Sequence, residues 1–219
     1  MANTTFNGKV RSENGFAQIT KTAATGAITE NTTIDSSGNV SAGGTLSVTG
    51  RSTLTGNTIA TTAGTGITTG TGTVYEAGVI KIGEVFHTTI LIDLTGLASS
   101  GSGDIIGKAA TANSHIGQIT AAVNGTVLGG KMTCLEAPAG GDPDINLWYA
   151  DEATGTEDAA VTGLTNQTQM CDSGDLALNS VVSLATVAAD KYLYMATGAA
   201  TNADYTAGKI LIEFWGYTA

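Results

Sequence analysis

Two histidines, His87 and His115, are the side chains whose ordinary pKa suits proton transfer near neutral pH. His87 falls on the polar side of an alternating segment, and His115 opens another segment after Asn113-Ser114. A catalytic imidazole needs a nucleophile and an orienting acid within reach. The chain has no Gly-x-Ser-x-Gly elbow or other nucleophile motif, so both histidines read as surface residues and no catalytic residue is expected. The carboxylates of Asp142-Pro143-Asp144, Asp151-Glu152 and the Asp172 and Asp175 pair offer oxygen ligands of the kind Ca²⁺ takes. Their spacing matches no calcium loop, and Gly-Asp-Pro is ordinary turn chemistry. Neither a metal nor a cofactor is expected. Paired carboxylates could also hydrolyse a glycoside, but a depolymerising solenoid needs a longer chain than this. Cys134 and Cys171 read as free, buried thiols, since a chain of 219 residues needs no covalent staple. The large aromatic groups Trp148-Tyr149, Trp215 and Tyr217 suit a receptor or subunit interface if exposed, and a core if buried.

The elements that would carry these groups are strands. The composition is 42% hydrophobic but only 13% charged, which leaves little Lys, Glu and Arg for helix surfaces. Thr, Val, Ile and Gly favour short strands and turns, so the fold class is all-β. From Val74 onward aromatics and charges return together. There Ile80, Ile82, Phe86, Ile90, Ile92 and Leu94 alternate with Lys81, His87, Thr89 and Asp93, which predicts one long strand with a bend or bulge at Gly83. At the other end Ile210, Ile212 and Phe214 alternate with Lys209, Glu213, Trp215 and Tyr217. Shorter strands are expected over 116–123, 126–136, 145–149, 176–187 and 192–196, with a helical turn over 186–190. Turn dipeptides separate them. Residues 78–219 are therefore expected to form a β-sandwich head of jelly-roll type.

Ahead of it lies a six-residue rhythm. Gly26, Gly38, Gly44, Gly50 and Gly56 share one phase of six, with Thr32 in the remaining place. Ile28, Ile34, Val40 and Leu46 follow two positions after each, and the apolar phase then moves to Val48 and Leu54. Ordering a residue costs about 1–2 kcal/mol of backbone entropy, and burying one Ile or Leu returns about 1.5–3 kcal/mol. One such side chain per hexad does not stabilise an isolated chain, so the apolar column must be shared with sister chains. Residues 17–77 are expected to form a trimeric β-spiral or triple-β-helix stalk ending in a glycine-rich neck over 63–73. A linker without fixed structure would give no reason for Gly and Ile or Val to stay in phase. Residues 1–16 form a polar arm on which Phe6, Val10, Arg11 and Phe16 are the anchoring candidates.

Charge sorts the partners. The net charge is −10, and residues 1–77 are neutral, with Lys9, Arg11, Lys21 and Arg51 against Glu13, Glu30, Asp35 and Glu76. The whole excess lies in the head, which argues against nucleic acid as a partner. No run approaches 18 apolar residues, so no membrane insertion is expected, nor is a secretory signal at the polar opening.

The run Ser37-Gly38-Asn39-Val40-Ser41-Ala42-Gly43-Gly44-Thr45-Leu46-Ser47-Val48-Thr49-Gly50, followed by Ser52-Thr53-Leu54-Thr55-Gly56, resembles shaft segments of tailed-bacteriophage fibre and decoration proteins. The opening Ala2-Asn3-Thr4-Thr5-Phe6-Asn7-Gly8, with Val10-Arg11-Ser12-Glu13-Asn14-Gly15-Phe16, is similar to structural proteins of marine phages. The likeness covers the first third of the chain. It implies a non-enzymatic homotrimer of the virion surface, assembled in the host cytoplasm. In one placement it is a capsid decoration (cement) protein whose arm docks on the major capsid protein and whose acidic head points outward. In the other it is a short tail or head fibre whose head binds the host cell surface. The arm's small size favours decoration, because a fibre usually joins its tail through a sizeable domain.

Overall fold

A computed structural model describes residues 16–21, 25, 28–34, 40–42 and 61–218. The chain divides into two units, residues 1–54 and 55–219. In the first, β1 (Phe16–Lys21), β2 (Ile28–Ile34) and β3 (Val40–Ala42) form an antiparallel sheet in the order β1-β2-β3. Phe16 pairs with Ile34 and Ile34 with Val40, so three apolar positions share one cross-strand row. Strand β2 continues through Thr32, the one hexad place without a glycine, with a register shift against β1 at the neighbouring Asn31. The β-branched residue there continues the strand that glycine would weaken. Ile28 pairs with Lys21. The stalk candidates Leu46, Val48 and Leu54 and the arm candidates Phe6, Val10 and Arg11 lie outside the described residues.

The second unit opens with a helical turn, α1 (Thr65–Thr68), then β4 (Val74–Ile82), β5 (Val85–Asp93), β6 (Ala98–Ser99) and β7 (Gln118–Ile119). The short α2 (Ala121–Asn124) leads to β8 (Thr126–Ala139), β9 (Ile145–Ala150), β10 (Thr168–Cys171) and β11 (Val181–Leu184). The chain ends with β12 (Lys191–Thr197), β13 (Ala203–Asp204) and β14 (Ala207–Tyr217). Antiparallel pairing gives a five-stranded sheet, β11-β8-β14-β5-β4, a four-stranded sheet, β10-β9-β12-β7, and the small pair β13-β6. The class is all-β, as composition implies.

The two larger sheets face each other across one core. Ile90, Ile92, Met132, Ile210, Ile212 and Phe214 come from the five-stranded sheet, and Ile119, Ile145, Leu147, Leu193 and Met195 from the four-stranded one. A second cluster, Ile105, Ala150, Val161, Tyr194 and Ala196, covers the far side of the four-stranded sheet together with the partly buried Trp148, Leu164 and Tyr192. The four-stranded sheet is thus covered on both faces, and its strands read as continuous apolar runs. The five-stranded sheet alternates strictly along β5 and β14.

Three expectations change. Residues 80–94 are not one strand. Ile82 pairs with Val85 around a two-residue turn in which Gly83 has φ 61°, the conformation that favours glycine at the first place of such a hairpin. A two-residue turn pairs even positions with odd ones, so Ile80 lies opposite His87, on the side away from the core. The glycine-rich stretch 63–73 belongs to the head unit: Ile67 is fully buried in the main core, and Gly64 and Gly66 donate N–H bonds to the carbonyls of His115 and Asn113. Strand β4 likewise runs across the 77/78 boundary. Residues 186–190 hold no helix, and the helical turns are α1 and α2. Among the described residues no helix is long and apolar enough to cross a membrane.

Candidate functional site

Two surfaces concentrate side chains not used by the core. The first is the outer face of the five-stranded sheet. Register sets two adjacent rows side by side: Trp215, His87 and Ile80 in one, Tyr217, Val85 and Ile82 in the other. A bulge between Trp215 and Gly216 leaves Leu128 beside them. Ile80 is 54% exposed, Ile82 74%, Val85 50% and Leu128 63%. Trp215 and Tyr217 are over one third exposed. Contiguous apolar groups at such exposure mark an interaction surface.

A polar cluster anchors this patch. The His87 ring stacks on Trp215 with centroids 5.4 Å apart and planes within 8°. His87 Nε2 lies 3.1 Å from Glu213 Oε1, and Lys131 Nζ 3.0 Å from Glu213 Oε2. Lys131 also sits 5.8 Å over the Trp215 ring. Lys209 pairs with Asp93 and Glu136 on the same sheet. Burial alone would raise the Asp93 carboxyl, but the Thr95 hydroxyl and N–H together with Lys209 hold it below the usual carboxylate range. The charges of this face are therefore largely spent on one another. His87 meets an acid and an aromatic ring but no nucleophile in this cluster.

The second surface is a cleft of about 480 Å³ where Thr61 and Thr62 approach β7 and β12. His115, Gln118, Thr120 and Tyr192 line it, with Val123 and two alanines. Its walls are tied together. The Tyr75 hydroxyl lies 2.9 Å from the Thr61 carbonyl oxygen and 2.8 Å from that of Ile116. Burial pushes that phenol's pKa far up, so it stays protonated as a donor. The Thr120 hydroxyl accepts from Val123 N and caps α2. His115 meets Tyr192 edge-on, with centroids 5.0 Å apart. Its Nδ1 is sealed with no hydrogen-bond partner, and burial pushes its pKa down.

Trp148 is half-buried against the second cluster, and Tyr149 packs against the main core with Lys191 6.0 Å over its ring. Neither joins Trp215 and Tyr217. Asp142 is buried and accepts from the N–H groups of Asp144 and Ala199, each at 3.0 Å. Asp151 takes Lys191 and Asn166, and Glu152 accepts from Thr165 N. Burial, and then the charges of Asp172, Asp142 and Asp175, raise the Asp144 carboxyl, whose Oδ1 has no partner. Among the described residues no group of three or more His, Cys, Asp or Glu is arranged to hold a metal. Cys134 and Cys171 are buried free thiols, both pushed up by burial.

Sequence reasoning missed Ile80 and Ile82 as surface groups, although the Gly83-Glu84 pair was a sufficient turn signal. It missed the cleft entirely, because its walls come from four segments far apart in the chain. Comparison with protein families, curated proteins and solved structures finds no match for the chain.

Proposed function

We propose that the protein is a non-enzymatic structural component of a tailed-phage virion, a homotrimeric capsid decoration protein. Its arm, residues 1–16, docks on the major capsid protein, and its acidic head points outward. Residues 17–54, ahead of the head unit, carry the trimeric β-spiral or triple-β-helix stalk, and the head is a jelly-roll-type sandwich. The shaft-like run from Ser37 to Gly56 and the hexad phase support the trimer. The observation that carries the reading is the uncovered apolar face formed by Ile80, Ile82, Val85, Leu128, Trp215 and Tyr217. Charges there are paired within the sheet, while most of the head's acids lie on the loops of the other sheet. Heads of like charge can therefore meet on this side, around a closed symmetry axis. Many trimers that bind only the assembled shell raise its stability by mass action and multivalency.

Counting copies per virion tests the placement. Decoration requires copies on the order of hundreds, whereas about a dozen indicates a fibre. Deleting residues 1–16 is expected to abolish capsid binding while trimers persist, and trimers still bound to capsids would refute docking by the arm. The second reading, a short tail or head fibre whose head binds a host receptor, is favoured by the cleft at His115 and Tyr192.

A further inference from the structure

The cleft beside Thr61 and Thr62 is selective by what it omits. At about 480 Å³ it matches the size of a small-ligand site. Among the described residues that line it there is no Asp, Glu, Lys or Arg, in a chain of net charge −10. An anion would find no countercharge there, and a cation no carboxylate. An apolar ligand would strand the Thr62 and Tyr192 hydroxyls and the Gln118 amide, at about 1–3 kcal/mol for each group left unpaired.

What the cleft does present is a set of neutral hydrogen-bonding groups around one ring. Among the described residues, hydrogen bonds hold the Thr120 hydroxyl, and Thr61 through its hydroxyl to the Gln118 carbonyl oxygen at 3.4 Å. The Tyr192 hydroxyl and the Gln118 amide have no such bond and remain available. Tyr192 is steadied by a T-shaped contact with His115, the ring centroids 5.0 Å apart. A neutral imidazole carries one N–H, and with Nδ1 sealed and unpartnered the proton is better placed on Nε2. The Thr61 wall is fixed by Tyr75, and Gly117 at φ 138° backs it so closely that a Cβ would stand 1.7 Å from Thr61 Cγ2. A wall held in place before binding reduces the ordering cost of a weak ligand.

The geometry points to a binding site for a neutral saccharide. The Tyr192 ring is the platform for a pyranose face, and Gln118, Thr62 and His115 exchange hydrogen bonds with its hydroxyls. The site goes beyond the decoration reading and holds in either placement on the virion. It identifies a glycan as the class of molecule this head meets.

Saturation-transfer NMR on the full chain tests it, with methyl glucoside, methyl galactoside, methyl mannoside and N-acetylglucosamine as probes. Glucuronate and inorganic phosphate serve as charged controls. At least one neutral sugar is expected to bind with Kd on the order of 1–10 mM. Gln118→Leu, which removes the amide but keeps bulk, and Thr62→Met, which fills the mouth from an exposed position, should each weaken it by about tenfold or more. Trp215→Ala should leave it unchanged. Absence of binding by all four sugars overturns the site. So does binding that survives both cleft variants, follows Trp215→Ala, or is matched by glucuronate or phosphate. Circular dichroism of each variant confirms that the fold is retained.

Discussion

Asp144 is a carboxylate held at a cost. It is half-buried, its Oδ1 has no partner, and Asp142, Asp172 and Asp175 all add to the field on it. Its folded pKa is raised, so its contribution to stability is fully present below the unfolded value of about 3.9 and is lost as pH rises through the folded pKa. Asp144→Asn removes the charge, and its expected effect is a higher Tm at pH 7 that disappears below about pH 4. Thermal unfolding at fixed protein concentration across that range checks both the sign and the window. His115 works the other way. Burial lowers its pKa, so stability is complete above its unfolded value of about 6.5 and falls as pH drops below it toward the folded pKa. His115→Gln should flatten that loss, read from melts between pH 7 and 5. Neither residue's state was legible in the sequence, because burial and the neighbouring carboxylates are set by segments far away in the chain. The thiols were easier: in a chain of this size an isolated Cys tends to be buried, and Cys134 and Cys171 are.

At the scale of elements, the β4–β5 hairpin decides what the larger sheet shows to solvent. The even positions 80, 82, 86, 90 and 92 are all apolar, and as one strand they would share a face. The turn at Gly83-Glu84 reverses the phase, turning Ile80 and Ile82 outward while Phe86, Ile90 and Ile92 face the core. A Cβ on Gly83 meets nothing within 4 Å, so a substitution there is opposed only by the left-handed backbone. Gly83→Ala is expected to cost about 1 kcal/mol, and Gly83→Asn less, measured as shifts in Tm. Losses as large as a core cavity makes, about 3 kcal/mol, would show that the turn does more than reverse the chain. Gly64, Gly66 and Gly72 had the look of a loose neck, yet α1 brings Ile67 into the core and its flanking N–H groups bond to 113–115. Composition alone could not reveal that docking, since the partners of Gly64 and Gly66 lie some fifty residues downstream.

For the whole molecule, the proposed function makes the exposed apolar sheet face the associating side of the head and the acidic loops its soluble side. Ile80→Asp with Ile82→Asp is expected to leave the head folded, changing its stability by no more than about 0.5 kcal/mol per site, because both side chains are already exposed. Sedimentation equilibrium should show the proposed trimer weakened, and an association unchanged by both substitutions would remove this face from the proposed assembly. The all-β class, the turns between strands and the placement of most head strands were readable from residue order. Strand periodicity and turn chemistry act over a few neighbours, so local sequence is enough to write them. How Thr61 and Thr62 come to lie beside His115 and Tyr192, and why Trp148 parts from Trp215, were decided only by tertiary pairing. Each depends on strands distant in sequence meeting in a register that no single segment encodes.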